Sequence, residues 1–91
     1  MSEPGDLSLT MAALADPTRR SIVAQLATGD ARLSDLAQRF PMSFNGVSKH
    51  VLALERAGLV LRRRSGREHW FALNRGPLGG ALAWIEEQTR R

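Results

Sequence analysis

Residues 43–67 read SFNGVSKHVLALERAGLVLRRRSGR, and this stretch decides the fold. Its first half carries apolar side chains at spacings of three and four, which predicts an amphipathic helix. The predicted buried face consists of Phe44, Val47, Val51 and Leu54. Ser43 is placed to accept hydrogen bonds from the free amides of the first helical turn, and Gly58 is a residue type that commonly follows a helix end.

The second half of the stretch predicts a β-hairpin. Residues 59–64 begin apolar and run into three arginines, Ser65-Gly66 is a turn dipeptide, and residues 67–73 resume a strand pattern. Successive side chains of a strand point to opposite faces, so Phe71 is expected on one face and Trp70 on the other. A helix is therefore followed at once by a basic hairpin.

Three further helices are predicted before this stretch. Apolar residues within 7–14 indicate a short first helix. Asp16 can cap the second helix, Pro17 suits its first position because no amide hydrogen bond is lost there, and Gly29 can end it. A third apolar stripe lies within residues 33–40.

A last helix is predicted after the hairpin, opened near Pro77 and carrying Leu78, Leu82 and Ile85 on its apolar stripe. The predicted architecture is mainly α with a small β-hairpin, in the order α-α-α-α-β-β-α. Two helices joined by a tight turn and followed by a hairpin describe a winged helix-turn-helix.

The length and composition fit one folded domain over residues 1–91, with residues 1–6 expected to be loose. The chain has no cysteine, which excludes disulfides and thiolate metal sites. Its amino-terminal stretch has neither a basic segment followed by an apolar run nor a long apolar span. We therefore expect a cytoplasmic protein with no membrane partner.

The positive charge is concentrated in the opening stretch. The whole chain carries a net charge of +4, yet residues 43–67 alone carry six basic side chains against one acidic side chain. Residues 1–42 hold four basic and five acidic side chains, and residues 68–91 hold three of each. A localised basic patch on a nearly neutral body indicates a protein that binds a polyanion, although a solvated basic turn would look the same by charge alone.

Three segments together resemble the ArsR-type bacterial transcriptional repressors. They are ALADPTRRSIVAQL at residues 13–26, VSKHVLALERAGLV at 47–60, and GR-x-HWFAL at 66–73, and the likeness covers residues 11–88. The resemblance implies a homodimeric winged helix-turn-helix repressor. It implies that the first and last helices form the dimer, that the helix carrying Ser48, Lys49 and His50 reads the major groove of double-stranded operator DNA, and that the wing reaches adjacent backbone or minor groove.

Many members of that family sense metals, through a cysteine-containing box on the third helix or through Asp and His on the last. Here the third helix reads RLSDLAQRF at residues 32–40, without cysteine, and the last reads LGGALAWIEEQTRR at residues 78–91, without histidine. The chain therefore resembles the metal-independent branch, for which we expect no metal site and no cofactor. No residue pattern identifies an effector.

The candidate DNA-binding residues follow from the outward face of the recognition helix and from the tip of the hairpin. Asn can pair with adenine, and Lys can reach the O6 and N7 atoms of guanine. Arginines nearest the turn are better placed for phosphates than those deeper in the strands, because alternate residues face opposite sides. The candidates are Ser43, Asn45, Gly46, Ser48, Lys49, His50, Arg56, Arg64 and Arg67.

Two of these candidates have a second interpretation. His50 could donate to a phosphate, or it could brace the turn as a partly buried side chain. Gly46 could allow close approach to a base, or it could be a neutral departure from the family, in which a larger residue is usual. Leu52 also departs, because relatives commonly carry Arg there.

The expected dimer interface consists of Leu9, Met11, Leu82, Trp84 and Ile85. Aromatic and large apolar side chains are enriched at the centres of such interfaces. The main alternative function is a winged-helix module that binds another protein, which the basic recognition region disfavours. An enzyme is the weakest hypothesis, because the sequence shows no nucleophile–base pair, phosphate loop or metal cluster.

Overall fold

The computed structural model describes residues 7–90 of the chain, which form five helices and a three-stranded antiparallel sheet. The predicted loose segment 1–6 lies outside the described residues. The helices are α1 (Leu7–Ala13), α2 (Pro17–Leu26), α3 (Leu33–Gln38), α4 (Phe44–Arg56) and α5 (Gly76–Thr89). The strands are β1 (Ala31–Arg32), β2 (Val60–Ser65) and β3 (Glu68–Leu73).

The predicted hairpin is confirmed, and the sheet contains a third strand that the sequence did not predict. Strands β2 and β3 pair from Ser65 opposite Glu68 to Val60 opposite Leu73. The additional strand β1 pairs with the other edge of β3, so the strand order is β1-β3-β2. Two residues are too few to show an alternating pattern in sequence, and β1 exists because β3 offers it a free edge.

The core lies where α2, α3 and α4 meet the sheet. Its largest fully buried side chains include Ile22, Leu36, Val47, Val51, Leu54, Leu59 and Phe71. The predicted stripes of α2 and α4 supply most of them, which confirms the helical periodicity on which the winged helix-turn-helix prediction depended. The sheet contributes Phe71, on the face predicted for it, while Trp70 stays half-buried.

The corner between α1 and α2 is built by the segment that follows Asp16. The Asp16 carboxylate caps α2 by accepting from the Arg19 amide at 2.9 Å. The Arg19 side chain turns back to donate to the carbonyls of Ala13 at 2.6 Å and Ala12 at 3.0 Å. Arg20 donates to the Leu14 carbonyl at 2.7 Å. These arginines therefore cap the negative end of α1, where basic groups are favourable.

The prediction that Phe44 belongs to the buried face of α4 was wrong. Its side chain is 54% exposed, whereas Val47, Val51 and Leu54 are buried as predicted. Phe44 lines an open cavity of about 320 Å³ between the first turns of α4 and the hairpin. The periodicity continues through Phe44, but the body of the protein does not extend far enough to cover the first turn.

We expect Leu54→Ala to lower the free energy of unfolding by about 2–5 kcal/mol, because it removes a fully buried side chain and leaves a cavity. Leu52→Ala is the matched control, since Leu52 lies on the same helix and is 37% exposed. Urea denaturation followed by circular dichroism measures both. Equal losses in the two variants would contradict the assignment of the inner face.

Candidate nucleic-acid interface

The recognition helix α4 is fixed by its inner face and by its cap. Val47, Val51 and Leu54 are each no more than 2% exposed. The Ser43 hydroxyl accepts from the Gly46 amide at 3.0 Å, which satisfies one of the free amides of the first turn. The cap predicted from sequence is therefore confirmed, and it sets where the helix begins.

The predicted contact residues of α4 fall into two groups. Asn45, Lys49 and Arg56 are exposed, while Gly46, Ser48 and His50 are partly buried. Asn45, Lys49 and Arg56 recur at spacings of four and seven, so they share one outward stripe. Within residues 7–90, Lys49 and Arg56 form no ion pair or side-chain hydrogen bond. Neither charge is compensated by another residue of that range.

The structure explains why glycine occupies position 46, which the sequence alone did not show. A Cβ built on it would lie 3.2 Å from the Ser43 Oγ and 3.6 Å from the Met42 Sδ. The first of these contacts is tighter than an ordinary van der Waals contact, so a larger residue would press on the capping hydroxyl. Glycine at this position accommodates the cap of α4.

His50 faces the start of α2. Its Nδ1 lies 3.7 Å from the Asp16 Oδ2, and the two side chains are 24% and 32% exposed. The pKa of Asp16 is lowered, first by the hydrogen bond from the Arg19 amide and also by the nearby His50. This contact favours the bracing interpretation of His50, because it ties α4 to α2.

The wing is defined as β2, β3 and their turn at residues 66–67, and its arginines have different partners. Arg62 donates to both oxygens of Glu55, at 3.2 Å and 3.0 Å, and Arg63 lies 3.3 Å from Asp30. Among the described residues, the Arg64 side chain donates only to the Gly66 carbonyl, at 3.1 Å. Arg67 is exposed and forms no ion pair within residues 7–90. The two arginines nearest the turn therefore form no ion pair within residues 7–90.

Gly66 allows the wing to turn sharply. It has a φ of +62°, in the left-handed region that side chains other than glycine rarely adopt. Arg64 precedes Gly66 in the chain and Arg67 follows it, so both arginines lie near the tip of the hairpin.

Arg32, in β1, is a structural residue that contacts the wing and that the sequence did not predict. It donates to Glu68 at 2.6 Å and to both oxygens of Asp35 at 3.1 Å, and its guanidinium lies 5.4 Å from the centre of the Trp70 ring. The side-chain hydrogen bonds from Arg32 are the main cause of the lowered pKa of Asp35. The spacing of Arg32 and Asp35 could have suggested their pair, but nothing in sequence links Arg32 to Glu68.

The expected dimer-interface residues lie on the outer surface of α1 and α5. Leu9 and Leu82 are each 56% exposed and Ile85 is 44% exposed, while Met11 and Trp84 are partly buried. Leu82 and Ile85 are three positions apart and lie on one face of α5, where exposed large apolar side chains mark a site for interaction with another molecule.

No helix within residues 7–90 is long and apolar enough to cross a membrane. In the same range, no group of three or more His, Asp or Glu side chains is arranged to hold a metal ion.

A helix-turn-helix whose second helix carries an exposed polar stripe, followed by a basic wing, defines the winged helix-turn-helix class of DNA-binding proteins. Comparison with known proteins agrees with this class. A family model described as a helix-turn-helix domain matches residues 14–63. The transcriptional repressor SdpR of Bacillus subtilis is 33% identical over 73 residues, which are 80% of this chain and 81% of SdpR.

Solved structures give the same result. The crystal structure of an ArsR family transcriptional regulator, RHA00566, is similar with a TM-score of 0.86 and 35% identity over 93% of each chain. The homodimeric winged helix-turn-helix DNA-binding domain of Mb0332 from Mycobacterium bovis has a TM-score of 0.75 and 25% identity, over 91% of this chain and 79% of that domain.

The chain therefore belongs to the ArsR family of winged helix-turn-helix transcriptional regulators. It is a DNA-binding regulator rather than an enzyme.

Replacing Arg32 tests its role in holding the wing. We expect Arg32→Ala to keep the fold but to speed amide hydrogen exchange in β2 and β3 about two- to five-fold, because the contacts with Glu68 and Trp70 are lost. Hydrogen exchange followed by NMR gives the rates residue by residue. Arg63→Ala is the control, since its pair with Asp30 is longer and more exposed. Unchanged rates in the Arg32 variant would show that the wing does not depend on it.

Proposed function

We propose that this chain is a homodimeric, metal-independent transcriptional repressor that binds an inverted-repeat operator. The observation that carries the proposal is the outward stripe of α4, which holds Asn45, Lys49 and Arg56, together with two arginines at the wing tip that form no ion pair within residues 7–90. Each subunit would place α4 in one major groove. Since it acts on DNA, we place it in the cytoplasm.

Base reading is assigned to Asn45 and Lys49, with Ser48 beside them. Both residues are exposed in the first two turns of α4, the part of a recognition helix that contacts base edges. Asn can form two hydrogen bonds with adenine, and Lys can donate to guanine. Ser43 and Gly46 shape the start of the helix, and Arg56 at its end is assigned to a phosphate.

Phosphate contact by the wing is assigned to Arg64 and Arg67. Arg62 and Arg63 are compensated by Glu55 and Asp30, so their charges contribute less to the attraction of DNA. Neutralising phosphates releases condensed counterions, which makes the affinity depend steeply on salt. In this proposal Arg62 and Arg63 stabilise the wing through ion pairs, and Arg64 and Arg67 bind phosphates of the DNA backbone.

The dimer is supported by the exposed apolar face of α1 and α5 and by the homodimeric state of the similar Mb0332 domain. Two-fold symmetry relates the two recognition helices, so the operator should be an inverted repeat with half-site centres about 34 Å apart. Metal independence is supported by the absence of cysteine from the chain.

The two classes of wing arginine give the first test. We expect Arg67→Ala to lower the slope of log K against log salt by about 0.9 per subunit, because one phosphate contact is lost. Arg62→Ala is expected to leave the slope nearly unchanged, because Glu55 already holds that guanidinium. Fluorescence anisotropy with DNA from the promoter region of the chain's own gene, over a series of KCl concentrations, measures both slopes. A binding constant that does not change with KCl concentration would contradict the proposal, and so would the absence of binding to this DNA.

The second test concerns the dimer. We expect Ile85→Glu to convert the protein to monomers, because it puts a charge on the shared apolar face. Gln38→Glu adds the same charge on the exposed surface of α3 and should leave the dimer intact. Sedimentation velocity gives the oligomeric state. A dimer that survives the Ile85 substitution would move the interface away from α5.

A further inference from the structure

Phe44 is a large apolar side chain that the structure leaves uncovered at the start of the recognition helix. It is the first residue of α4 and is 54% exposed, whereas Val47 and Val51 on the following turns are no more than 2% exposed. Phe44 is not part of the buried core. The DNA-binding surface proposed above consists of polar and basic residues and gives Phe44 no role.

Phe44 lies beside the residues to which base reading is assigned. It directly precedes Asn45 and stands four positions before Ser48, so Phe44 and Ser48 are about 40° apart around the helix axis. Both residues also border the open cavity between α4 and the wing. The Phe44 ring is therefore continuous with the proposed reading surface, at the edge of that surface which faces the wing.

The side chain of Phe44 points toward the leading end of α4. In an α-helix every Cα–Cβ bond tilts toward the amino terminus, so a side chain of the first turn is directed past that end of the helix. The amino-terminal residues of a recognition helix are the ones that contact base edges. An exposed side chain at this position is thus placed to meet a base edge when α4 lies in the major groove.

The chemistry of the major groove selects the partner of an apolar ring. Thymine is the one base that presents a methyl group there, and all four bases present hydrogen-bond donors or acceptors. A phenyl ring has no hydrogen-bonding group, so against a polar edge it would remove water without replacing the lost hydrogen bonds, which costs free energy. Against a methyl group the same ring buries apolar surface, which is favourable.

We propose that Phe44 contacts the 5-methyl group of a thymine in the major groove and makes each operator half-site selective for thymine at that position. Asn45 and Lys49 read bases through hydrogen bonds, and Phe44 adds an apolar contact on the side of α4 that faces the wing. This inference rests on the proposed function, because it requires α4 to lie in the major groove.

The first test changes the DNA and leaves the protein unmodified. Each thymine of the bound promoter segment is replaced singly by deoxyuridine, which keeps the base pair and removes only the 5-methyl group. We expect one replacement in each half-site to weaken binding about 3- to 5-fold, because the contact with one methyl group is lost. Fluorescence anisotropy at a fixed KCl concentration measures these affinities.

Variants of the protein assign the methyl effect to a residue. Phe44→Ala should bind the thymine and deoxyuridine forms of the DNA equally, because the ring that contacts the methyl group is gone. Phe44→Gln should give the same result with a polar side chain that also suits a helix. Circular dichroism checks that both variants stay folded, as expected for changes at a half-exposed residue.

Leu61→Ala is the matched control. Leu61 is 53% exposed, close to the exposure of Phe44, but it lies in β2 next to Arg62. Arg62 is directed toward Glu55 of α4, so the neighbouring Leu61 side chain points to the opposite face of the wing. The Leu61 variant should therefore retain the full difference between the thymine and deoxyuridine forms.

Two results with the variants would overturn the assignment to Phe44. Leu52 is the rival, since it is 37% exposed and lies three positions after Lys49. If Leu52→Ala removes the methyl effect and Phe44→Ala does not, Leu52 contacts the thymine instead. If Phe44→Ala weakens binding to both forms of the DNA by the same factor, Phe44 acts only by positioning α4.

Failure of this inference is distinguishable from failure of the proposed function. If the unmodified promoter DNA binds and no deoxyuridine replacement weakens binding, the thymine contact alone is rejected. If the unmodified promoter DNA does not bind, the proposed function is rejected and the thymine contact with it.

Discussion

The burial of one face of α4 is the interaction on which the rest of the structure depends. Val47, Val51 and Leu54 pack into the core formed with α2, α3 and the sheet, and this fixes the rotation of the helix about its axis. A rotation by one residue would turn Lys49 away from its outward position by about 100°. Apolar packing on one side of α4 therefore determines which polar side chains face outward on the other.

Ion pairs and helix caps then set the position of each element around α4. Asp16 caps α2 and also meets His50, so the same carboxylate joins α2 to the recognition helix. Glu55 near the end of α4 holds Arg62 in β2, and Arg32 ties the sheet edge to Glu68 in β3. These contacts are partly exposed and individually weak, so they orient the wing rather than stabilise the fold. The basic stretch thus divides into charges already paired within the protein and charges that have no ionic partner within residues 7–90.

The sequence predicted those features that leave a periodic or local signature. Several of these features depend on neighbours within a few residues, and the structure confirms them: the α4 stripe from Val47 to Leu54, the Ser43 cap, the Asp16-Pro17 helix start and the Ser65-Gly66 turn. Features that depend on distant contacts were missed. Strand β1 exists through pairing with β3, Arg32 meets Glu68 across 36 positions, and the exposure of Phe44 depends on where the hairpin lies. The contacts assigned to Asn45, Lys49, Arg64 and Arg67 remain predictions.

Hydroxyl-radical and dimethyl sulfate footprinting of the bound promoter DNA test the central claim most directly, because they report the backbone and the major groove separately. The account predicts two symmetric major-groove footprints with centres about one helical turn apart, each flanked on its outer side by backbone protection from a wing. Lys49→Ala should remove guanine protection in the grooves, and Arg67→Ala should remove only the flanking protection. A single asymmetric footprint, or groove protection that survives the Lys49 substitution, would contradict the account.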